Sequence, residues 1–106
     1  MTFLDERRIT ADIMREIERA EKKHPHTENM PDGTRNGGMN LVCREQAQLS
    51  CDRATREGRV TFAQVLEEEF YEAICEEDKV KLRAELVQCG AVVIRWLAKL
   101  DREAGR

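Results

Sequence analysis

The spacing of apolar residues along the chain predicts four amphipathic helices. Leu4, Ile9, Ile13, Met14 and Ile17 recur at helical spacing with charges between them, which places a first helix from about residue 3 to 23. His24-Pro25-His26 marks its end, because the residue before a proline is pushed out of helical geometry. Residues 25–40 shift to Pro, Gly, Asn, Asp and Thr and read as a flexible loop, with Pro31-Asp32-Gly33-Thr34 in the form of a tight turn. Asn40 is the expected cap of a second helix over residues 41–57, stopped by Gly58. Its thin apolar content (Leu41, Val42, Ala47, Leu49, Cys51 and Ala54) suits packing along one narrow edge.

Thr61 and Gln64 have the spacing of a capping box and fix the start of a third helix. In that phase Phe62, Val65, Leu66, Phe70, Ala73 and Ile74 form its apolar face. Asp78 is the expected cap of a fourth helix running to about Asp101, with Leu82, Leu86, Cys89, Val93, Trp96, Leu97 and Leu100 in line. The short connection between these two helices makes them antiparallel neighbours.

Carboxylates interrupt both stripes. Glu69 falls between Phe62 and Val65, and Glu72 lies roughly 60° away on the Val65 flank. Glu68 is expected further out, toward solvent. On the fourth helix Glu85 sits among Cys89, Val92 and Trp96, with Gln88 at the edge. Burying unpaired charge costs several kcal/mol or forces protonation, so a buried cluster of this kind needs a counter-charge. A hard divalent cation with all-oxygen ligation is the expected one. The competing reading is that Glu67 to Glu69 is a solvated charge run on a surface helix.

Glu68-Glu69-x-x-Glu72 followed by Glu85-x-x-Gln88 resembles the paired helix signature of the MazG-like all-α nucleoside triphosphate pyrophosphohydrolases, Glu-Glu-x-x-Glu and then Glu-x-x-Asp. The likeness extends to Gly58-Arg59-Val60-Thr61-Phe62 and to Leu82-Arg83-Ala84-Glu85-Leu86-Val87-Gln88, and covers the last half of the chain. It implies a four-helix MazG-like bundle assembled as a homo-oligomer, Mg²⁺ held by carboxylates, with Mn²⁺ as the alternative ion, and hydrolysis of a nucleoside triphosphate to monophosphate and pyrophosphate. Carried over to this chain, Glu69, Glu72, Glu85 and Gln88 are the expected metal ligands. Glu68 and Glu69 are the expected catalytic groups. The departure is Gln88, which stands where the pattern has Asp and removes one negative charge from the site.

Composition narrows the function classes. At 106 residues the chain is expected to form a single domain, residues 1–106, and 41% hydrophobic with 37% charged residues suits amphipathic helices. A net charge of -3 argues against a general nucleic-acid binder. Met1 to Ile9 does not resemble a signal peptide, and the longest apolar run, Cys89 to Ile94, is short of a membrane span. A cytoplasmic protein without membrane attachment is the expectation. Cys43, Cys51, Cys75 and Cys89 match no zinc template and read as small core residues.

The fourth helix also carries Val87, Ala91 and Ile94 away from its main stripe, which predicts a subunit interface in a homodimer or homotetramer. Lys81, Gln88, Arg95, Lys99 and Arg102 share its remaining face. Arg95 and Lys99 are the candidates for substrate phosphate, against a plain solvated face. Two classes of function remain. One is a pyrophosphohydrolase acting on a nucleoside triphosphate or related nucleotide; the other is a non-catalytic nucleotide-binding, sequestering or protein-interaction module, motivated by Gln88 and by the little chain that follows the fourth helix.

Overall fold

The computed structural model describes residues 1–35 and 38–105. Among them all regular structure is helical: α1 (Phe3–Lys23), a single 3₁₀ turn (Thr27–Asn29), α2 (Gly38–Arg56), α3 (Phe62–Ile74) and α4 (Lys79–Glu103). No helix among the described residues is long and apolar enough to cross a membrane. The chain divides into two compact units, Met1–Asp32 with Ile94–Arg106, and Gly33–Val93. Helix α4 runs through both.

The helix starts follow side-chain chemistry. A Thr2/Asp5 capping box opens α1: the Asp5 N–H donates to Thr2 Oγ1 at 3.2 Å and the Thr2 N–H to Asp5 Oδ2 at 3.0 Å. The expected Thr61/Gln64 box is present at α3, with the same reciprocal bonds at 3.2 and 3.0 Å. Asp78 caps α4 as expected, its Oδ2 accepting the Lys81 N–H at 3.0 Å. Helix α2 starts two residues before the expected cap, so Asn40 lies inside it. Asn36 and Gly37, part of the expected 25–40 loop, lie outside the described residues, as does Arg106.

Gly58 ends the stretch after α2 as a glycine should. Its φ of +69° is left-handed, its N–H reaches the Thr55 carbonyl at 3.1 Å, and the Arg59 N–H reaches the Ala54 carbonyl at 2.9 Å. These two bonds make a Schellman motif, which satisfies carbonyls that the helix end would otherwise leave free.

In the first unit Ile9 is the buried anchor of α1, and Arg8 bridges Asp5 at 2.9 Å and Asp101 at 3.3 Å. Leu4, Met14 and Ile17 of the predicted stripe are exposed, as is Phe3.

In the second unit α2 and α3 make the closest helix pair. The seam uses small residues: Ala47, Cys51 and Ala54, at i, i+4 and i+7, are buried, while Met39, Val42 and Leu49 point outward. The Gln64 amide donates to Ser50 Oγ at 3.4 Å, and Tyr71 hydrogen-bonds with Cys43. The sequence order of these contacts makes the pair antiparallel. Upstream of α2, the Arg35 N–H donates to the Ile74 carbonyl at 2.8 Å and ties the connecting segment to the end of α3.

Candidate functional site

The site is made by the faces that α3 and α4 turn inward, and both differ in phase from the simple apolar stripes. On α4 the protected side carries Leu82, Glu85, Cys89 and Val92, spaced at i, i+3, i+7 and i+10. Leu86, Val93 and Leu100, expected in the stripe, are exposed, Leu86 by 54%. On α3 the exposed side is Ala63, Glu67 and Phe70, and Phe70, expected inside, is 48% exposed with its ring edge-on to Tyr71. The reason is that α3 is covered on the side of Gln64, Glu68 and Tyr71, where it meets α2, as well as on the side of Glu69 and Glu72. A helix covered on two polar-bearing flanks turns its remaining apolar edge outward.

This phase brings three carboxylates together. Glu69 and Glu72 of α3 and Glu85 of α4 each offer an oxygen, and these oxygens lie within 4.8 Å of one another. All three residues are half-buried. Glu69 Oε2 and Glu85 Oε2 are enclosed and have no hydrogen-bond partner among the described residues. An enclosed carboxylate oxygen without a donor is costly, and two of them in one cluster leave its electrostatics unsatisfied by the protein alone.

Proton affinities carry the same mark. Burial pushes Glu69 above the usual carboxyl range, helped by the charges of Glu85 and Glu68. Glu72 is pushed up to about 7, first by burial, then by its hydrogen bond with Glu85 and the charges of Glu69, Glu85 and Glu68. Burial also raises the Cys89 thiol, and the three clustered carboxylates add to it. Cys89 follows Glu85 by one helical turn, so the cluster has a protonated thiol on its flank.

The remaining expected site residues are placed differently. Glu68, expected toward solvent, is half-buried because α2 covers it, and it accepts a hydrogen bond from the Cys51 thiol. That thiol is held at about 11, by burial first and by Glu68 second. Gln88 is exposed. Arg95 and Lys99 belong to the other compact unit, where Arg95 is exposed and Lys99 pairs with Glu103. Residue spacing pointed to Glu69, Glu72 and Glu85; it gave no sign of the Cys51–Glu68 contact, which depends on how α2 meets α3.

As a cation site the cluster has suitable donors and near-suitable spacing. Mg²⁺ holds its oxygens at about 2.1 Å in an octahedral shell, so the three glutamate side chains would have to draw inward to ligate one ion together. Compared with known proteins, this chain matches no protein-family model, no curated protein and no solved structure.

Proposed function

We propose that this chain is a Mg²⁺-dependent nucleoside triphosphate pyrophosphohydrolase of the MazG-like kind, producing a nucleoside monophosphate and pyrophosphate. The observation that carries this reading is the convergence of Glu69, Glu72 and Glu85 within 4.8 Å, with two of their oxygens enclosed and unpartnered. A cation gives those oxygens the counter-charge that the protein does not, which is the physical reason to prefer an ion site over a solvated charge run.

Glu69, Glu72 and Glu85 would hold Mg²⁺, with Mn²⁺ as the alternative. When bound, the ion supplies Lewis acidity toward the phosphate chain and offsets its charge. Glu68, adjacent to Glu69 and steadied by the Cys51 thiol, is the residue that orients or accepts a proton from the attacking water. The exposed Leu86, Val87 and Val93 of α4 support assembly as a homodimer or homotetramer, because an apolar helix face of this kind favours burial.

The second reading, a non-catalytic nucleotide-binding, sequestering or protein-interaction module, is favoured by one observation: Gln88, in place of the pattern's Asp, is exposed. Pyrophosphate release from a panel of canonical and modified nucleoside triphosphates, with Mg²⁺ or Mn²⁺ and a Glu69→Ala control, separates the two. Turnover abolished in the control supports the hydrolase. No turnover with any nucleotide overturns it, and thermal shifts with the same panel then support or reject nucleotide binding.

A further inference from the structure

We draw no further inference here: the strongest candidate, the exposed apolar face of α4 formed by Leu86, Val87 and Val93 around Gly90, carries no proposal because nothing in the structure shows what covers it.

Discussion

Glu72 of α3 and Glu85 of α4 hydrogen-bond carboxyl to carboxyl, a contact that exists only while one of them holds a proton. Glu72 takes up that proton with its affinity raised from 4.5 to about 7. A carboxyl whose folded value is raised contributes stability that is fully present below its unfolded value and lost as pH rises through the folded one. The metal-free chain is therefore expected to melt at progressively lower temperature between about pH 5 and pH 8. Mg²⁺ is expected to reverse the loss at the alkaline end, where its ligands are ionised. The Asp5 carboxyl, held at about 2 by its bonds to Thr2 and then to Arg8, acts in the opposite sense and only in stronger acid. Thermal melts across this window, with chelator and with Mg²⁺, provide the check. A flat metal-free profile would show that the pair does not share a proton.

Glu85→Gln removes one charge while keeping the shape, and its amide can donate to Glu72. Without metal this variant is expected to be more stable than the parent by about 1 kcal/mol, or roughly 4 to 8 °C. It is also expected to lose the stabilisation by Mg²⁺. Glu67→Gln, on the exposed side of α3, should change neither property. Paired melts with and without the ion read both effects, and a destabilised Glu85→Gln chain would contradict the electrostatic account of the cluster.

Thr61→Ala removes the acceptor for the Gln64 N–H at the start of α3. The expected cost is about 1 kcal/mol, measurable by urea unfolding. Because α3 bears Glu69 and Glu72, the Mg²⁺ concentration giving half-maximal stabilisation should rise as well. A loss of stability with an unchanged metal midpoint would separate helix formation from the site.

Two glycines should respond to alanine with opposite signs. Gly90 lies within α4 without a positive φ, and a Cβ there meets nothing within 4 Å. Gly90→Ala should stabilise the chain by about 0.5 to 1 kcal/mol through helix propensity. Gly58 has φ +69°, so Gly58→Ala should cost about 1 to 2 kcal/mol. Urea unfolding of the two variants side by side tests the pair, and stabilisation at Gly58 would overturn the Schellman assignment.

Local chemistry made much of this fold legible in the sequence. The Thr61/Gln64 box, Asp78 and Gly58 act over three or four residues, and each does what its spacing indicates. The Thr2/Asp5 box was equally local and carried its signal in the Thr-x-x-Asp pattern. Glu69, Glu72 and Glu85 were legible because helical periodicity alone puts them on converging faces. What periodicity does not encode is which neighbour covers each face. Phe70 and Leu86 look like core residues from their own helices and are exposed, whereas Glu68 looks like a surface residue and meets Cys51. The start of α2 before Asn40 was hidden for another reason: Gly38 and Met39 have no strong capping or periodic signal.

Helix α3 has 13 residues, a length at which an isolated helix in water is marginal. It therefore depends on the tight seam of Ala47, Cys51 and Ala54, a row of residues that stands outside the carboxylate cluster. Any side chain added there levers α3 away and misaligns Glu69 and Glu72 without touching either. The affinity of a cation held by these carboxylates would thus be partly a measure of folding, and mutations on the far side of α3 would be read out as binding defects.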